Sequence, residues 1–181
     1  MPPIQTCPLP AHALLARYAA AGAYTDCYTT EVAGAVSHAA FVEVFYTGAL
    51  FKVERGLLGL VIGRPSTDEQ ARQLATGEAS SFAAWRVEDR AVDQLLLCAI
   101  DGRTRSWLMV AADTSAPGRG TRLYFGSAVV PSVSRSTGKA SMGLMFKALL
   151  GFHKLYSRAL LGAAGGALGE RCQGGERHGG R

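Results

Sequence analysis

The spacing of apolar residues along this 181-residue chain changes several times, and each change marks an element. Residues 26–32 (DCYTTEV) are rich in Thr, Tyr and Val and predict a strand. Ser37 is a helix-capping residue type, and Phe41, Val44 and Phe45 follow it on one helical stripe. Thr47-Gly48 interrupts that helix. A second is predicted with Leu50, Phe51, Leu57, Leu58, Val61 and Ile62 as its apolar set, ended by Arg64-Pro65. Ser66-Thr67-Asp68-Glu69 reads as an S-x-x-E capping box for a third short helix closed by Gly77. Beyond it the pattern becomes strand-like, predicting strands over 80–88, 94–100, 103–112 and 121–130. Asp101-Gly102 predicts a two-residue type I′ hairpin, with Cys98 facing Arg105 and Leu96 facing Trp107. Gly126 inside the last strand predicts a bulge or bend. Residues 139–163 then predict a helix of about seven turns. Met142, Met145, Leu149, Phe152, Tyr156 and Leu160 form its apolar face, opposite Lys147, Lys154 and Arg158.

The ends carry weaker patterns. Pro2, Pro3, Pro8 and Pro10 predict a disordered tail over 1–10, and residues 12–21 can form a short helix. Glycine dominates 164–181, which predicts a second disordered tail and leaves 11–163 as a single domain. The expected class is α+β: a curved antiparallel sheet wrapped around a long C-terminal helix, with two or three short helices after the first strand.

Composition narrows the partners. With 48 % apolar and 18 % charged residues the chain can bury a core, which excludes disorder throughout. No apolar run approaches the ~18 residues of a membrane span, so no integral membrane segment is expected. No secretory signal is visible at the N-terminus, and the four cysteines lack metal-ligand spacing; the expectation is four reduced thiols in the cytoplasm. The net charge of +5 is unevenly spread: 26–101 is acidic and 103–158 strongly basic. The basic half suits either an anionic ligand or a solvated face.

The order of strand, helices, antiparallel strands and long terminal helix resembles the helix-grip fold of the START lipid-transfer domains, the polyketide cyclases and the birch-pollen allergen family. The chain is most similar to a small bacterial family of unknown function within that superfamily, sometimes fused behind a Rossmann-type NAD-binding domain. The residues carrying the resemblance are Tyr24-Thr25-Asp26-Cys27-Tyr28 in the first strand, and Phe152-His153-Lys154-Leu155-Tyr156 with Ala159-Leu160-Leu161 in the last helix. It implies a cavity between sheet and helix, and an NAD-binding partner protein as a possible docking target. Four strands follow the helices where larger members have six, so the resemblance does not fix the cavity's size.

Candidate chemistry is sparse. His12, His38, His153 and His178 are scattered, so no metal site is expected. His153 borders the apolar stripe of the last helix, where an imidazole can act as a base, bond a ligand or bond a backbone carbonyl. No G-x-S-x-G or phosphate loop occurs, and no cofactor is expected. Arg105 and Trp107 share one strand face, as do Arg122 and Tyr124; an Arg beside aromatics can hold a carboxylate or phosphate at a cavity mouth. The expected ligand-binding set is therefore Arg105, Trp107, Tyr124, His153 and Tyr156, with no catalytic residue identified. No nucleic-acid motif is evident. The leading expectation is a module binding a small lipophilic molecule, acidic or carbonyl-bearing. The alternatives are a cyclase- or dehydratase-like enzyme using His153 and Tyr156, or an accessory domain docking on a dehydrogenase-like partner. Whether any reaction is catalysed stays open at this point.

Overall fold

The computed structural model describes residues 3–52, 66–113, 120–130, 132–133, 140–141 and 144–178, with side chains at 3–52, 66–113, 120–130 and 154–172. In chain order the elements are β1 (Gln5–Thr6), α1 (Ala16–Ala20), β2 (Tyr24–Ala33), α2 (His38–Thr47), α3 (Asp68–Thr76), β3 (Ser81–Phe82), β4 (Trp85–Arg90), β5 (Gln94–Ala99), β6 (Thr104–Asp113), β7 (Gly120–Val129), β8 (Ser132–Val133), β9 (Ala140–Ser141) and α4 (Leu144–His178). Seven strands form one antiparallel sheet in the order β1-β2-β7-β6-β5-β4-β3, while β8 and β9 pair separately. The architecture is α+β, an open antiparallel sheet with a C-terminal helix packed on β2, β7 and α2.

Both faces of the sheet are buried. On one face α2, α3 and α4 cover Tyr28, Val32, Leu95, Leu97, Leu108, Leu123 and Phe125. On the other, residues 7–18 cover Cys27, Leu96, Trp107, Met109 and Ala128. Alternation along each strand sends neighbouring residues to opposite layers, so Trp107 and Leu108 are equally buried on different faces.

Local chemistry explains the boundaries. Ser37 Oγ accepts the Ala40 amide at 3.2 Å and starts α2 as expected. The capping box of α3 lies one residue later than the S-x-x-E reading. Thr67 Oγ1 accepts from the Gln70 amide at 3.2 Å, and Gln70 Oε1 accepts from the Thr67 amide at 3.0 Å. The predicted strand over 80–88 is split between β3 and β4 by a tight turn holding Ala83 at φ 50°, a left-handed value costly for a residue with a Cβ.

The hairpin pairs Cys98 with Arg105 and Leu96 with Trp107, as expected. Its turn is not type I′, which needs positive φ at both central residues. Here the Gly102 amide donates to Ala99 O at 2.8 Å and Gly102 has φ +71°, whereas Asp101 does not enter the left-handed region. Gly126 makes no bulge, because its register is unbroken on both sides. It is needed for close approach: a Cβ there would lie 2.9 Å from Asp26 O, 2.9 Å from Leu15 Cδ2 and 3.0 Å from Trp107 Cε3.

Both expected tails contain ordered elements. Residues 5–6 pair with β2, Thr30 Oγ1 donates to Pro3 O at 3.2 Å, and Arg158 Nη2 donates to Ile4 O at 3.1 Å. The glycine-rich end continues α4 to His178, with Ala164 and Leu168 buried in the core. Small residues are used for contact here. A Cβ on Gly162 would approach Ile4 Cδ1 to 3.0 Å. The second predicted helix lies beyond residue 52 outside the described residues, although 49–52 are helical.

Candidate ligand cavity

Where α2 and α4 meet the sheet, the two layers leave a cavity of about 150 Å³. Its apolar wall is Phe45, Phe51, Phe125 and Leu160, and its polar lining includes Tyr46, Thr104, Ser106, Ser127 and Ser157. Trp85 and Tyr156 complete the aromatic lining. The rings lock one another: Phe45 and Phe125 centroids lie 5.0 Å apart, and Tyr46 meets Phe51 edge-on at 4.9 Å.

The hydroxyls are partnered. Tyr46 Oη and Ser106 Oγ hydrogen-bond at 3.1 Å in a buried pair. Ser127 donates from its amide at 3.0 Å and from Oγ at 2.7 Å to Asp26 Oδ1, so the buried carboxylate is held just behind the cavity wall. Burial first, and the Asp26 charge second, push the Tyr24 and Tyr28 phenols up to about 12. Trp85 differs: its indole N–H is buried without a hydrogen-bond partner among the described residues. Such a donor costs roughly 1–3 kcal/mol unless something accepts from it.

The structure disperses the expected ligand set. Tyr156 lines the cavity. Arg105 also borders it, but its guanidinium is engaged on the other side of the sheet. There Nε lies 2.6 Å from Glu88 Oε2 and donates to Tyr18 Oη at 2.7 Å, Nη1 donates to Gly102 O at 2.6 Å, and the group stacks 4.7 Å over the Tyr18 ring. Arg105 clamps α1 to the sheet. Trp107 and Tyr124 face the N-terminal segment, on the opposite layer from Tyr156. The His153 side chain lies outside the described residues.

Sequence reasoning missed Phe45, Tyr46, Trp85, Ser106 and Ser127. A usable signal existed for two of them. Ser106 and Ser127 are polar positions flanking the apolar Leu108 and Phe125 on that side, and they stand opposite each other in the β6–β7 ladder. His38 is a further buried group, packed at the start of α2, with Nε2 unpartnered among the described residues. Burial, only partly offset by a hydrogen bond to the Leu108 backbone, lowers its pKa to about 4.

The described lining is made of aromatic rings, Leu160, hydroxyl-bearing side chains and the Arg105 side chain. Among the described residues no cluster could hold a metal ion, and no helix is long and apolar enough to cross a membrane. Comparison of the chain with protein families, with curated proteins and with solved structures found no match.

Proposed function

We propose that this chain is a binding module of the helix-grip kind, holding one small lipophilic molecule between the sheet and α4. The observation that carries the reading is the buried indole N–H of Trp85, without a partner among the described residues, beside an aromatic cavity. A ligand carbonyl accepting from it would remove the cost of burying that donor. A cavity of about 150 Å³ is smaller than drug-sized sites and fits a single aromatic ring. The preferred ligand is thus a monocyclic aromatic ketone, aldehyde or acid rather than a long acyl chain or a polycyclic polyketide.

The test is calorimetric titration with acetophenone and with its hydrocarbon counterpart α-methylstyrene. Acetophenone should bind about tenfold more tightly, the worth of one hydrogen bond. Trp85→Phe keeps an aromatic wall and removes the donor, so it should erase the difference while retaining binding of the hydrocarbon. Failure of both compounds to bind the wild-type chain would remove the cavity reading.

A further inference from the structure

The N-terminal strand brings two cysteines face to face. Gln5 pairs with Thr29 and Thr6 with Tyr28, and the same register sets Cys7 opposite Cys27. The Cys7 amide donates to Cys27 O at 3.1 Å, and the two Sγ atoms are 3.3 Å apart. Directly opposed residues of an antiparallel pair have Cα atoms about 4.5–5.5 Å apart, within the span a disulfide bridges. Both thiols are free in the structure.

The two sulfurs are not equivalent. Cys27 is buried under residues 7–18, whereas Cys7 is half-buried. Both border an open groove of about 460 Å³ that also contains Thr6, Tyr24, Asp26 and Lys154. The hydrogen bond between the two sulfurs is the main reason the Cys7 thiol is held below its ordinary value; burial opposes it and Arg122 adds to it. Cys27 is raised correspondingly, first by that hydrogen bond and then by burial. The accessible sulfur is therefore the one that ionises more readily.

We propose that Cys7 and Cys27 form a reversible disulfide with a small-molecule disulfide such as glutathione disulfide as oxidant. The Cys7 thiolate attacks one oxidant sulfur, forms a mixed disulfide and expels the first glutathione thiolate. Cys27 then loses its proton and attacks Cys7 Sγ, closing the protein disulfide and expelling the second thiolate. Two cysteine sulfurs are oxidised by two electrons in total, the oxidant is reduced to two thiols, and these take up the two protons. The bond staples the first strand to β2 and thereby fixes the segment that covers Trp107 and Leu96. Oxidation becomes a switch on the attachment of that segment.

The test equilibrates the full chain with glutathione disulfide, alkylates the remaining thiols and maps the products by peptide mass spectrometry. The expected result is one intramolecular Cys7–Cys27 link, with Cys98 and Cys172 alkylated after unfolding. Oxidation should raise the melting temperature by roughly 5–10 °C and slow amide exchange across residues 5–18. Cys27→Ser should stop at a glutathione adduct on Cys7, and Cys7→Ser should leave Cys27 unmodified in the folded chain. Four free thiols in the oxidised wild type, or a dominant link involving Cys98, Cys172 or a second chain, would overturn the proposal. So would a Cys7–Cys27 link that leaves exchange over 5–18 unchanged.

Discussion

Trp107 and Trp85 lie on opposite faces of one sheet and meet different neighbours. Trp107 is fully buried, and its indole N–H donates to Gln94 Oε1 at 2.9 Å. Trp85 is partly exposed, yet its indole N–H is buried and has no partner among the described residues. The difference follows from what covers each face. Residues 7–18 are mostly irregular, so their own amides and carbonyls need partners. Gln94 supplies them, accepting from Leu14 N at 2.9 Å and donating to His12 O at 3.1 Å. A segment tied down in this way leaves the Trp107 indole both covered and hydrogen-bonded. Helices satisfy their own backbones and need no such anchoring, and the layer beneath α2 and α4 retains a cavity of about 150 Å³ beside Trp85.

The widest difference expected between the faces is in pH response. His38 is buried at the start of α2 with a pKa lowered to about 4, against about 6.5 when unfolded. The unfolded chain therefore binds more protons between those values. The contribution is present in full above pH 6.5 and is lost as pH falls toward 4, by roughly 3 kcal/mol in all. Urea midpoints from pH 7 to 4 should show it, and His38→Asn should flatten that part of the curve. An unchanged curve would assign the acid sensitivity to other groups.

Packing gives the next contrast. Gly126→Ala should destabilise by about 2–3 kcal/mol, because its Cβ meets backbone and two buried side chains on the closed face. Denaturant midpoints at unchanged slope would measure the loss; a change under ~0.5 kcal/mol would mean that face has slack. The tryptophans then allow a matched pair. Trp107→Phe should cost about 2 kcal/mol, whereas Trp85→Phe should cost less than ~1 kcal/mol, having no hydrogen bond to lose. Equal losses would erase the distinction between the faces. The smallest effect concerns the turn leading into Trp85. Ala83→Gly should stabilise by up to ~1 kcal/mol by relieving a left-handed alanine, read as a rise in melting temperature.

Much of this fold was legible because local signals agreed with it. Ser37, Gly77 and the Asp101-Gly102 turn marked boundaries, and β2, β5, β6 and β7 lie where alternation and residue type put them. The site was less legible for a specific reason. In β6 the sequence Ser106-Trp107-Leu108-Met109 is buried throughout, so its pattern does not say which residues face the helices. Trp107 and Tyr124 are the larger side chains, and size made them the natural cavity candidates. The decisive fact is that residues 7–18 cover a whole face, and four prolines disguise an ordered segment as a tail. The glycine-rich end misled in the same way. Its small residues permit close packing, and Ala164 and Leu168 supply the burial that helix propensity lacks.

The pairing of β2 with β7 has a consequence for how the chain reaches this state. Tyr24 pairs with Val129 and Ala33 with Gly120, so the strand made early must wait for one made late. Until then its long edge is unpaired and its buried face uncovered. The two-residue β1 pairs on the opposite edge of β2 and leaves this one open. Folding should therefore be governed by one long-range closure, slow for a chain of this size and most exposed to aggregation just before β7 docks.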